Sequence, residues 1–156
     1  MIRATVPADT PELLALAEGT LVFKPHEIVA LNEVLDDYHD TNHAEQHRCV
    51  TVEEDGQIIG FAYYAPAAMT ERTWYLYWIA VRVDIQTKGT GSRLMAHVEE
   101  DIRNKQGRLL LIETSSLPHY SLTRRFYEKL NYEKEAVIRD FYADHDDLVV
   151  FRKRLN

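Results

Sequence analysis

The chain has 156 residues, one domain's worth, and its 46% hydrophobic and 28% charged residues are those of an ordinary globule with a single core. A formal charge of −7 argues against nucleic acid as a partner, because such binding is dominated by Lys and Arg against phosphate. No apolar run nears the ~20 residues of a membrane span and residues 1–7 carry no signal-peptide core, so a cytoplasmic protein with no membrane partner is expected.

Residues 2–5 read as a first strand. Asp9 or Thr10 caps a helix that begins at Pro11, puts Leu13, Leu14 and Ala17 on one face and stops at Gly19. A second helix from Pro25 buries Ile28, Leu31 and Leu35. His39, His43 and His47 would share a face on one continuous helix, as metal ligands do, but Asp40-Thr41-Asn42 is rich in turn formers and His47 enters a strand. Exposed histidines, not a metal site, are expected. Cys49 is the single cysteine, so no internal disulfide can form. Within Cys49-Val50-Thr51-Val52 it reads as a buried structural thiol. Strands over 49–52 and 58–64 meet at Asp55-Gly56, a hairpin signal. A third run over 73–81 continues the meander and carries Trp74, Tyr75, Tyr77 and Trp78, read as core or pocket wall.

That third strand leads into Gln86-Thr87-Lys88-Gly89-Thr90-Gly91 and then a helix. Two glycines one residue apart let successive backbone N–H groups converge on an anion, and the helix N-terminus adds further donors and the positive end of its dipole. A nucleotide P-loop needs a Lys after its second glycine, and here Ser92 follows Gly91. A dinucleotide fingerprint needs a third glycine where Leu94 stands, and too little chain follows for the rest of that fold. The helix over 90–104 places Leu94, Val98 and Ile102 on one face with Met95 beside them. Residues 109–112 form a buried strand, parallel to the previous one if loop and helix make a crossover. A helix over 119–130 follows, then a terminal hairpin of 132–140 with 148–152.

Gln86-x-x-Gly89-x-Gly91 with Ser92-Arg93-Leu94-Met95 resembles the acetyl-CoA loop of the GCN5-related N-acetyltransferases (GNAT). Thr123-Arg124-Arg125-Phe126-Tyr127-Glu128-Lys129-Leu130-Asn131-Tyr132 resembles that family's late helix. The two motifs stand in the family's order, and the resemblance runs from about Gly60 to the C-terminus. It implies an α/β (α+β) fold: a mixed, mostly antiparallel sheet with one splayed parallel strand pair, flanked by helices. It further implies a single N-acetyltransferase domain over 1–156. The activity implied is transfer of acetyl from acetyl-CoA to a primary amine, on a small molecule or a peptide or protein N-terminus, by direct attack in a ternary complex. Ile79 and Val81 match the backbone positions that hold pantetheine, with the Val81 N–H facing the thioester oxygen, while Gln86, Thr87, Lys88, Gly89, Thr90, Gly91 and Ser92 would cradle the pyrophosphate. Tyr127 matches the general acid. Glu113 resembles the catalytic glutamate of bacterial ribosomal-protein N-terminal acetyltransferases, and either it or water is the base.

By the same resemblance, the first two helices form a lid beside the acceptor, where Glu27, Glu33, Asp36 and Asp37 would face a cation or merely make a solvated helix face. Two positions depart from the family pattern. Tyr120 stands where an asparagine commonly contacts CoA, and Asn131 stands where a glycine usually ends the helix, a place Asn tolerates. A homodimer is one option for assembly. The rival reading keeps the fold without turnover, as a non-catalytic acyl-CoA-binding module.

Overall fold

The structure, a computed structural model, describes every residue of the chain apart from Gln86 and Thr87. Seven strands lie in one sheet in the order β1-β2-β3-β4-β5-β7-β6. They are β1 (Ile2–Ala4), β2 (Arg48–Glu54), β3 (Gln57–Pro66), β4 (Thr73–Val81), β5 (Leu109–Ser115), β6 (Glu133–Ala143) and β7 (Asp146–Arg154). All neighbours pair antiparallel except β4 and β5. The mixed sheet with one parallel pair, expected from the sequence, is what forms.

Four α-helices cover it, α1 (Thr10–Gly19) and α2 (Pro25–Asp40) on one face, α3 (Thr90–Asn104) and α4 (Ser121–Lys129) on the other. The α1–α2 face buries Leu13, Leu16, Ala17, Leu31, Leu35 and Tyr38 against Phe61 and Tyr63. Leu14 and Ile28, expected in the core, are half-buried, and Leu16 and Tyr38 take those places. The other face buries Leu94, Met95, Val98 and Ile102 against Trp74, Leu76, Leu110 and Ile112, which is the stripe expected of α3. Because β3 has helices on both sides, residues 58–65 are buried without interruption, the continuous apolar run of a doubly covered strand.

Local chemistry accounts for the joints. Asp55 and Gly56 both have positive φ, 52° and 75°, the two-residue turn that suits the twist of a hairpin. The Glu27 carboxylate accepts a hydrogen bond from the Lys24 N–H (3.0 Å) and so closes the first turn of α2. Asn131 takes φ 69° after α4, the left-handed residue that ends the helix. Arg3 donates to both Asp9 oxygens (2.8 and 3.0 Å) and to Glu53 (2.7 Å), pinning β1 to the start of α1.

The histidines depart from expectation in one respect. His43 is exposed, but His39 and His47 are half-buried, and His47 Nδ1 hydrogen-bonds the Tyr63 hydroxyl at 2.6 Å. Among the described residues no cluster of His, Cys, Asp and Glu could hold a metal. Cys49 is buried as expected, and burial pushes its thiol up to about 12, far from a nucleophile. No helix among the described residues is long and apolar enough to cross a membrane.

Candidate active site

The site is built where the sheet comes apart. β4 and β5 pair only between residues 73–76 and 109–112. Beyond that, β4 stays with β3 as far as Val81 and β5 stays with β7 as far as Ser115. The two strands therefore diverge while each remains anchored on its outer side, and a wedge opens between Tyr77–Trp78–Ile79 and Glu113–Thr114–Ser115. A bulge helps. The β3–β4 register slips between Tyr63 and Tyr64, which leaves Tyr77 as the extra residue. It re-aims the strand at the point where pairing with β5 stops.

At the open end of the wedge, the loop after β4 delivers the α3 N-terminus. Gly89 has φ 79° and ψ 8°, a left-handed corner that any side chain would strain, directly before Thr90 begins the helix. Gly91 has a different reason. A Cβ there would lie 3.2 and 3.3 Å from the Phe126 ring of α4, so its lack of a side chain lets the α3 terminus settle against α4. The first-turn N–H groups of α3 have no partners within the helix, which makes this end a ready anion site. Lys88 and Ser92 beside it are exposed and Thr90 is buried. Gln86 and Thr87, also expected in the phosphate cradle, lie outside the described residues.

Tyr127 lies on the α3–α4 face, 2% exposed, with its ring 5.8 Å from those of Tyr132 and Phe151. Burial raises its phenol above the ordinary value. No described residue hydrogen-bonds its hydroxyl. α4 is held in place by Arg124, which donates to the carbonyls of Ser115 (2.7 Å) and Leu117 (3.0 Å), tying the helix to the end of β5.

Glu113 is inside β5, opposite Val150, and not at the strand's end as its sequence context suggested, because pairing with β7 carries β5 on to Ser115. Leu110 and Ile112 enter the core under α3, so strand alternation turns Glu113 to the other face. Tyr127 and Glu113 thus stand on opposite faces of the sheet, and the wedge is the passage between them.

On the Glu113 face several groups converge that no short sequence motif joins. Glu113 has an exposed side chain, and the partial desolvation it suffers beside the hairpin raises its carboxyl only in that measure. Tyr142, in the β6–β7 hairpin, is pushed up to about 12 by burial and then by the charges of Glu113, Asp146 and Glu27. Tyr120 is raised by burial and then by Glu27, Tyr142 and Asp146. Tyr77 is raised by burial, Tyr75 and Glu113. Asp146 is buried, accepts a hydrogen bond from the Ser115 hydroxyl, and lies 3.7 Å from the Lys24 ammonium. Ser115, Lys24 and the buried state of Asp146 were invisible in the sequence, since the β5–β7 pairing brings Ser115 near Asp146 and the packing of the α2 N-terminus brings Lys24. Of the lid acids, Glu27 is half-buried beside this cluster, while Glu33, Asp36 and Asp37 are exposed, the solvated helix face of the bland reading.

A cleft of about 440 Å³ opens beside the loop, lined by Lys88 and Thr90 of the loop and first helical turn together with Arg82, Arg93 and the β2–β3 hairpin. Arg93 is paired with Glu54 (2.7 Å) and Arg82 with Asp84 (2.5 Å), so most of its positive charge is already spent. Neither Glu113 nor Tyr127 lines it.

Residues 45–134 match the Acetyltransferase (GNAT) domain. A protein from Desulfovibrio desulfuricans, described as a GNAT-family acetyltransferase, has the same structure at TM-score 0.95 and 36% identity, over 100% of this chain and 99% of that one. The chain belongs to the GNAT family of acetyltransferases. More distant structures share the fold. A ribosomal-protein-alanine N-acetyltransferase from Brucella melitensis aligns at TM-score 0.81 and 20% identity over 99% of both chains. The Salmonella typhimurium acetyltransferase yncA, solved with acetyl-CoA, aligns at TM-score 0.79 and 14% identity over 100% of this chain and 94% of that one. No curated protein matches the sequence.

Proposed function

We propose that the chain works as one N-acetyltransferase domain, moving acetyl from acetyl-CoA to a primary amine by direct attack while both are bound. The observation that carries this reading is the wedge between β4 and β5, open to an anion-binding helix end and flanked by Tyr127 on one face and Glu113 on the other. The loop at Lys88, Gly89, Thr90, Gly91 and Ser92, with Gln86 and Thr87, holds the CoA pyrophosphate. The pantetheine runs along β4 at Ile79 and Val81, as acetyl-CoA binding in a protein of the same fold supports.

The acceptor reaches the thioester from the α1–α2 face. Its nitrogen attacks the carbonyl carbon, the C–S bond breaks, and the CoA sulfur leaves as a thiolate. Tyr127 gives the thiolate a proton. For free groups, a phenol near pKa ~10 and a thiol near ~8.5 differ by about 2 kcal/mol, and burial raises phenol and thiol alike, so the shared dry setting does not widen that gap in proportion. The amine's proton goes to Glu113 or to water. An α-amine at pKa ~7.8 costs about 1 kcal/mol to deprotonate at pH 7, a lysine-like amine at ~10.4 about 5, so an α-amine is the lighter task for this site. Glu27, Glu113 and Asp146 among Tyr77, Tyr120 and Tyr142 suit a cationic amine on a small molecule or a peptide N-terminus. The likeness to a ribosomal-protein-alanine N-acetyltransferase adds weight to the second.

Acetyl-CoA and CoA are expected to raise the melting temperature, and thiol release is expected with some members of a panel of amines and N-terminal peptides. In Tyr127→Phe the shift by acetyl-CoA should persist while kcat falls ~10²-fold or more, the loss typical of a positioned acid. Binding without turnover on any amine, in the native chain and the variant alike, would replace this reading with a non-catalytic acyl-CoA-binding module.

A further inference from the structure

One ion pair on the Glu113 face is poorly made. Asp146, at the head of β7, has a side chain only 4% exposed, and its Oδ1 accepts the Ser115 hydroxyl, whose oxygen in turn accepts the Leu117 N–H at 3.1 Å. Those two bonds fix the carboxylate and leave Oδ2 facing Lys24. The Lys24 ammonium stands 3.7 Å off, beyond hydrogen-bond length, on a side chain 42% exposed. Neither Oδ2 nor that ammonium hydrogen-bonds any described residue. A buried carboxylate needs a cation, and a charge-assisted bond of about 2.7–2.9 Å holds one far better than a contact of this length. The neighbouring acids are engaged differently. Asp147 accepts the Asp140 N–H and Glu27 the Lys24 N–H, bonds that hold the hairpin and the end of α2.

We infer that Asp146 Oδ2 is the seat of a second cationic group on the acceptor, and that Lys24 is a stand-in that holds the seat until the acceptor displaces it. The inference rests on the reading of this face as the acceptor side, and it narrows the acceptor to an alkyl diamine. Ser115 follows Glu113 by two residues, on the same face of β5 and about 7 Å along it. With Asp146 bound to Ser115, the two carboxylates suit a molecule whose nitrogens are separated by about four or five methylenes. One nitrogen meets Glu113 and the thioester, and the other meets Asp146. Leaving costs Lys24 little, because its long stem already keeps the ammonium partly in water and its pair is weak. Tyr120 and Tyr142, both within reach of the Asp146 charge, supply apolar surface for the methylenes between the nitrogens. An acceptor with a single cation leaves Lys24 in place and gains nothing from Asp146.

Putrescine and cadaverine, compared with butylamine and pentylamine under saturating acetyl-CoA, test this. In the native chain each diamine is expected to show a KM at least tenfold below that of its matched monoamine. Asp146→Asn keeps an acceptor for the Ser115 hydroxyl but loses the charge, and should abolish that advantage. Lys24→Met removes the competitor, so the ratio of monoamine to diamine KM should widen several-fold. The same variant leaves a buried charge unpaired, so it should melt below the native chain, and cadaverine but not pentylamine should restore its melting temperature. Equal KM values for diamine and monoamine in the native chain, or a diamine advantage that survives Asp146→Asn, overturn the proposal. Thermal rescue of Lys24→Met by both amines, or by neither, overturns it too. If no amine is acetylated and cadaverine still rescues Lys24→Met selectively, the cation seat stands and the acetyl-transfer reading falls.

Discussion

At Glu113 the direction of one pKa shift fixes what a pH profile should look like. Burial disfavours the carboxylate, so its pKa lies above the ordinary ~4.3. A base acts when ionised; the rate therefore holds above the raised pKa and falls as pH drops through it, at a higher pH than a fully solvated glutamate would give. Glu113→Gln should lose most rate above that pKa, where the native carboxylate is ionised and acts as base; the difference should close as pH falls through it, so the variant's profile lacks the carboxylate limb. Stability runs in the opposite sense. A folded pKa above the unfolded one means the folded state holds more protons between the two values, so stability declines as pH rises through that window and is level above it. The Gln variant is thus expected to melt no lower than the native chain at pH 7, and kcat with melting temperature on the same sample checks both. If kcat is unchanged in Glu113→Gln, water removes the proton.

Among the elements, the junction of α3 and α4 decides whether the loop and Tyr127 can serve one substrate. Gly91 lies under the Phe126 ring, one residue before Tyr127, so a side chain at 91 pushes on the helix that carries the proposed acid. Gly91→Ala should weaken acetyl-CoA binding and also lower kcat, and Phe126→Leu in the same chain should recover part of both by making room. Gly89→Ala acts locally, by straining the left-handed corner at a cost of about 1 kcal/mol or more, and Phe126→Leu should not rescue it. Calorimetric affinity and kcat for the four variants separate the two roles. Equal rescue of both glycine variants would show that the Gly91–Phe126 contact is not the constraint.

At the scale of the whole molecule, the proposed reading puts cosubstrate and acceptor on different sides of the sheet. CoA would enter from the α3–α4 face at the wedge's open end, and the acceptor would meet a side walled by the first turn of α2, the Tyr120 turn and the β6–β7 hairpin. Elements from three distant parts of the chain would then set acceptor choice. Tyr142→Ala and Glu27→Ala are expected to raise the acceptor KM several-fold and leave the acetyl-CoA KM within about twofold, as loss of binding that is equal in ground and transition states requires. Steady-state kinetics with both substrates varied will show it, and the reverse ranking would move the acceptor away from this cluster.

Periodicity and turn chemistry were enough, from sequence alone, for the Asp55-Gly56 hairpin, the buried stripe of α3 from Leu94 to Ile102 and a strand, glycine loop and helix in that order, while the family and Asn131 as the stop of α4 came from motif resemblance. These are short-range properties, carried by residues within a few positions of each other. The sequence could not say where β5 ends, because hydrogen bonds from β7 carry it past Ile112 and so turn Glu113 inside a strand and away from Tyr127. Nor could it join Ser115, Lys24 and Asp146, or leave Gly91 beneath Phe126, since each contact links elements far apart in the chain. The wedge itself was expected only through family likeness. Its physical cause, two parallel strands each held more firmly by an outer antiparallel neighbour than by one another, exists only once the whole sheet is assembled.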